Sequence, residues 1–165
     1  MRKAREFTGE DTVVKRSVAL LVYPPGARDR FVVVRRPEHP EEELAGVWGL
    51  PAATLRPGEE EIEAAHRIAR EKLGTVVRLL GVRARGVQER PNYRLEMRLY
   101  EAELMGPEPR LPYPPPDFET TYYTAWRWAD TTVLREAAQQ GSLCARLALE
   151  ALEPYPSTGS NMSTE

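Results

Sequence analysis

Glu59 to Leu73 runs without a glycine or proline and is bracketed by Pro57-Gly58 and by Gly74. Within it Ile62, Ala65, Ile68, Ala69 and Leu73 recur at three- and four-residue spacing, the period of a helix with one apolar face. The segment predicts a helix that buries Ile62, Ala65 and Ala69 against a sheet, with Ile68 read as a core residue. Glu60, Glu61 and Glu63 read as a solvated first turn, favourable to the helix dipole.

The flanking segments are of β type. Thr12 to Tyr23 is rich in Val and Leu and stops at Pro24-Pro25-Gly26, and Phe31 to Val34 is a second short strand. Pro37 to Glu43 reads as a polar loop. Val76 to Val87 and Tyr93 to Leu104 are long strands joined through Arg90-Pro91-Asn92 as a hairpin. In the second of these, Tyr93, Leu95, Met97 and Leu99 share one face and Arg94, Glu96 and Arg98 the other. Met105 to Asp117 is proline-rich and predicts a stiff surface loop, a candidate cover for a site. Thr121 to Ala129 reads as the last strand; Asp130 caps a helix through Gln140, and Gly141-Ser142 separates it from a final helix ending near Leu152. The expected organisation is an N-terminal extension over 1–11, one α/β (α+β) domain over 12–152 and a disordered tail over 153–165.

Composition narrows the function classes. A formal net charge of −2 gives no global attraction to nucleic acid or membrane, so a polyanion must be met by a local cluster. The single cysteine, Cys144, excludes an intramolecular disulfide and fits a reducing cytoplasm. No segment approaches the roughly 18 apolar residues of a membrane span, and no signal peptide is expected at the charged N-terminus. The reading is a cytoplasmic protein.

The stretch Leu50 to Gly74 resembles the Nudix box, the loop–helix–loop that holds divalent metal against a diphosphate. The family pattern is Gly, five residues, Glu, seven residues, Arg-Glu, an apolar residue, any residue, Glu-Glu, any residue, Gly. It falls without a gap on Ala53, Glu59, Arg67-Ile68, Glu71-Lys72 and Gly74. Gly46-Val47-Trp48-Gly49-Leu50-Pro51 is similar to the family's apolar lead-in, and Trp126-Arg127-Trp128-Ala129-Asp130 to the strand and turn before its last helices. The resemblance implies an α/β/α sandwich with a mixed β-sheet. It also implies a structural pair in which Glu59 folds back to hold Arg67.

Hydrolysing a phosphoanhydride requires charge neutralisation that magnesium or manganese supplies, through hard oxygen ligands. On an ideal helix the box glutamates at 68 and 72 lie about 60° and about 100° from 71. Here those two positions hold Ile68 and Lys72, which leaves Glu71 as the candidate catalytic residue and metal ligand. Glu89, Glu96, Asp117 and Glu119 are candidate replacement acids; Arg35, Arg36 and Lys72 are candidate phosphate binders. Restoring glutamate at 68 and 72 together is expected to raise metal affinity if the damaged face is the whole deficiency. Ala52-Ala53 in place of two glycines leaves the loop either strained or on another path, since a left-handed alanine costs about 1–2 kcal/mol. Tyr122, Tyr123, Trp126 and Trp128 are either base-stacking or core residues.

Two functions follow. One is a metal-dependent, weakened Nudix-type hydrolase of a phosphoanhydride in a nucleoside diphosphate linked to another group. The alternative is a non-catalytic nucleotide- or RNA-binding module that serves as sensor, regulator or subunit. Either takes a nucleotide-like small molecule, with RNA a partner only under the second; a homodimer is left open.

Overall fold

The computed structural model describes residues 13–38, 44–112 and 122–153. Its spine is β1 (Val14–Tyr23), apolar and buried on both faces from Val18 onward. Such a two-faced run belongs in the middle of a layered sheet. β1 pairs along its length, in parallel, with β6 (Arg94–Leu104), from Val14 opposite Arg94 to Tyr23 opposite Glu103. β5 (Val77–Glu89) lies antiparallel to β6, and the short β4 (Ala52–Thr54) lies antiparallel to β1. The result is a mixed four-stranded sheet in the order β4-β1-β6-β5. A second, antiparallel sheet joins β3 (Trp48–Gly49), β2 (Phe31–Arg35) and β7 (Ala125–Ala129) in the order β3-β2-β7.

Strand alternation divides the interior into two cores. Ala19, Leu21, Leu95, Met97 and Leu99 meet α2 (Arg135–Gln139) and α3 (Leu143–Leu152) on one side. Val18, Leu20, Val22, Tyr100 and Ala102 meet the box helix on the other. This is the expected sandwich of helices around a mixed sheet. Asp130 caps a 3-10 turn over Thr131–Leu134 by accepting from the Thr132 N–H at 3.0 Å, and α2 follows it directly. The tail from 154, the N-terminal extension to 12 and the second half of the proline-rich loop (113–121) lie outside the described residues. None of the described helices is long and apolar enough to cross a membrane.

The box helix differs from a uniform α-helix. α1 covers Glu61–Arg67, and Ile68–Lys72 forms a π-helical turn closed by the Leu73 N–H on the Ile68 carbonyl at 3.2 Å. Such wide turns occur often at functional sites, and here the turn voids the angles an ideal helix assigns to 68, 71 and 72. The buried face runs through Ala64, Ala65, Ile68 and Ala69; Ile62, expected on it, is 56% exposed. The first turn directs Glu61 at β6 instead: its carboxylate accepts from Arg98 at 3.0 Å and from the Tyr100 hydroxyl at 2.8 Å. Glu61 is therefore an engaged side chain rather than a solvated one.

Gly74 ends the helix at φ +62°, where a Cβ would stand 2.2 Å from the Arg110 carbonyl oxygen. Arg110 in turn donates its N–H to the Leu73 carbonyl at 2.7 Å, which ties the described part of the proline-rich loop to the helix end. Gly74→Ala must pay the left-handed penalty and displace that strand of loop. A loss exceeding about 1–2 kcal/mol is expected in urea unfolding.

Candidate functional site

Beside the box helix opens a cleft of about 860 Å³, within the size range of small-molecule sites. β4 and the loop after it form one wall, the box helix another, and the β5–β6 hairpin with the start of α3 the third. Five cationic side chains line it: Arg36, Arg56, Arg67, Lys72 and Arg90. No Asp or Glu among the described residues does so. The cleft is thus a local cationic cluster in a chain of net charge −2.

Arg67 is 5% exposed. Its Nε donates to Glu59 at 2.7 Å, and its Nη2 to the other Glu59 oxygen at 2.8 Å and to the Thr54 carbonyl at 3.0 Å. Glu59 also accepts from the Arg56 N–H at 2.9 Å. The loop is thereby fastened to the helix, and the Arg67 guanidinium bonded to it holds the Glu59 carboxyl below the usual glutamate range. The loop reaches this position without strain at Ala52 or Ala53. Both lie in β4, paired with Ala19 and Val18, and among the described residues Leu44 is the only non-glycine with positive φ.

Ile68 is wholly buried among Val18, Leu20 and Val32. Lys72 is 7% exposed; its Nζ donates to the Ala52 carbonyl at 2.7 Å and lies 5.3 Å from the centre of the Tyr123 ring. Tyr123 steadies the same residue, Ala52. Its hydroxyl accepts from the Ala52 N–H at 3.1 Å and stands 3.3 Å from the Ala52 carbonyl oxygen.

The other candidates are scattered. Glu71 does not line the cleft; its carboxylate lies 3.3 Å from Arg56 Nη2 and 3.9 Å from Arg70 Nη2. Arg36 lines the cleft, but Arg35 is turned to the Gly46 carbonyl at 3.1 Å and to the Glu38 carboxylate. Glu89 pairs with Arg94 at 2.8 Å beside the hairpin turn. Glu96 lies 3.5 Å from Arg16 and lines a separate cavity with Glu61 and Arg98. Neither acid lines the cleft; strand alternation turns Glu96 to the face of β6 opposite its cleft-lining neighbour Leu95, on the side of Glu61. Asp117 and Glu119 lie outside the described residues.

These donors do not fit a divalent cation. Among the described residues no three His, Cys, Asp or Glu side chains come together. Magnesium surrenders its waters only to well-placed anions, whereas here an ammonium already occupies the Ala52 carbonyl. Sequence reading missed Arg56, Arg90 and Tyr93 as cleft residues. The first sits in the loop before Pro57-Gly58 and the other two flank a hairpin turn, so each reads locally as turn chemistry alone. Tyr123 was one of four aromatics open to stacking or packing, and it is buried with its hydroxyl in use. Trp126 and Trp128 pack edge to face, centroids 5.6 Å apart, at the margin of the box-helix core.

The protein-family model NUDIX domain matches residues 14–147, which is most of the chain. The chain belongs to the Nudix family. Solved Nudix-type structures share its fold. A MutT protein from Methanosarcina mazei Go1 is 17% identical at TM-score 0.60, over 76% of this chain and 83% of that one. The E. coli ORF135 protein is 20% identical at TM-score 0.60, over 93% and 97%. A C. elegans Ap4A hydrolase, solved as a binary complex, is 17% identical at TM-score 0.55, over 90% and 93%. At such identities the likeness is one of fold. No curated protein matches the chain significantly.

Proposed function

We propose that this Nudix protein binds a nucleotide-like small molecule carrying a phosphoanhydride, and holds its phosphates with side-chain cations rather than with a metal cage. The observation that carries this reading is the cleft lining, in which five cations, Arg67 and Arg56 among them with Glu59 and Glu71 beside them, line a space of about 860 Å³. Arginines there offer bidentate donors matched to phosphate oxygens. RNA fits less well, because exposed arginines elsewhere are largely paired, Arg78 with Glu103 and Arg94 with Glu89 among them.

Titration calorimetry over a panel of nucleoside diphosphate-linked compounds tests it. At least one compound is expected to bind, with affinity falling as salt rises, and Arg36→Ala or Arg90→Ala should each weaken it about tenfold or more. A panel that fails to bind at low salt rejects the reading.

A hydrolase reading is supported by the family match and by hydrolases among the similar structures, and at the site by Glu71, which remains about a quarter exposed on the π-helical turn. In that reading magnesium or manganese binds weakly, on the order of millimolar, and the phosphoanhydride is cleaved slowly. Phosphate release measured against magnesium concentration decides between them. Brisk, saturable turnover that Glu71→Gln abolishes would establish catalysis through this residue.

A further inference from the structure

We propose that the Lys72 ammonium is a built-in cation that takes the place of a divalent metal as counter-charge to a diphosphate, so that capture in the cleft is metal-independent. The inference rests on the reading of the cleft as a phosphate site and names how that site works.

Charge balance points to this role. Arg67, the other deeply buried cation of the cleft, has Glu59 against it. Lys72 is buried to a similar depth, but its partners among the described residues are neutral, one carbonyl and one aromatic ring. A buried charge without a counter-ion is unfavourable unless an anion completes it. Lys72 lines the cleft, so the completing anion can come from a ligand. An ammonium has three donors, and the Ala52 carbonyl uses one.

The ammonium is also preorganised. Tyr123 contacts both polar ends of the Ala52 residue, so the carbonyl that holds Lys72 is itself held. The ammonium stands at a fixed point and need not be ordered when phosphate arrives. Residue choice points the same way. Lysine occurs in this chain only at positions 3, 15 and 72, against a background of arginine. A compact point charge suits this enclosed position, whereas a planar guanidinium is larger and carries its donors in a rigid fork.

The test uses the full chain and inorganic diphosphate as the probe, in EDTA and in magnesium. Wild-type affinity should be the same within about twofold in the two buffers, and Lys72→Met should weaken it by about tenfold or more in both. A second readout needs no phosphate. By electron paramagnetic resonance, wild-type protein should hold manganese no tighter than about millimolar, and Lys72→Glu, which frees the Ala52 carbonyl and puts a carboxylate in the cleft, should tighten it about tenfold or more. Diphosphate binding that disappears in EDTA overturns the inference and leaves the proposed function standing. Absence of phosphate binding in both buffers overturns both. If Lys72→Met fails to fold, the wild-type comparison of EDTA with magnesium decides alone.

Discussion

Ile68→Glu is expected to lower stability by about 3–5 kcal/mol, the range seen when a charge is left uncompensated in a protein interior. Ile68 has no exposed surface and lies in an apolar core with Val18, Leu20 and Val32. Urea unfolding should show the midpoint falling sharply, and the variant should bind manganese no better than wild type. This revises the expectation drawn from the box pattern, in which glutamates at 68 and 72 together repair the metal face. Position 68 does not belong to a vacated metal face; the π-helical turn and the sheet have made it core. Repair is expected from position 72 alone, and a soluble, fully stable Ile68→Glu variant would contradict the packing.

Arg67→Ala should cost a similar amount, about 3–5 kcal/mol, because it leaves the Glu59 carboxylate poorly exposed and unmatched. The Thr54 carbonyl loses its donor as well. Stability should fall by more than ligand affinity does, since this guanidinium is committed to the loop. The pair also sets a pH dependence. Its hydrogen bond from Arg67 keeps the folded-state Glu59 carboxyl below the ordinary range. The stabilisation is therefore complete above the unfolded glutamate pKa of about 4.3, and is lost as pH falls through the lower folded value. Glu59→Gln should remove that acid-side segment from the stability profile. An Arg67→Ala variant that unfolds at the wild-type urea concentration would refute the fastening role.

What could be read in the sequence was what is local. β6 and the box helix announce themselves by period, since packing against a layer imposes a repeat on adjacent residues, and β1 and β5 by long apolar-rich runs, that of β1 stopping at Pro24-Pro25-Gly26. β3 and β4, of two and three residues, are too short to carry one. Ile62 has the spacing of a core residue, but a contact from Glu61 to β6, far along the chain, settles how the first turn sits. The cleft was the least legible part. Arg36, Arg56, Lys72, Arg90 and Tyr123 converge from five separate segments, and each has an ordinary local reading. The loss of two box glutamates was plain in the sequence. That Lys72 bonds the Ala52 carbonyl became visible only when the fold brought the two together.

The central claim is that the box persists as a scaffold whose cation is a lysine. A crystal structure grown with inorganic diphosphate and manganese, with anomalous scattering recorded at the manganese edge, tests it most directly. Phosphate oxygens are expected within hydrogen-bond distance of Lys72 Nζ, about 2.7–2.9 Å, with no ordered manganese at the box helix. Manganese bound by Glu71 and the Ala52 carbonyl, with Lys72 swung away, would contradict it.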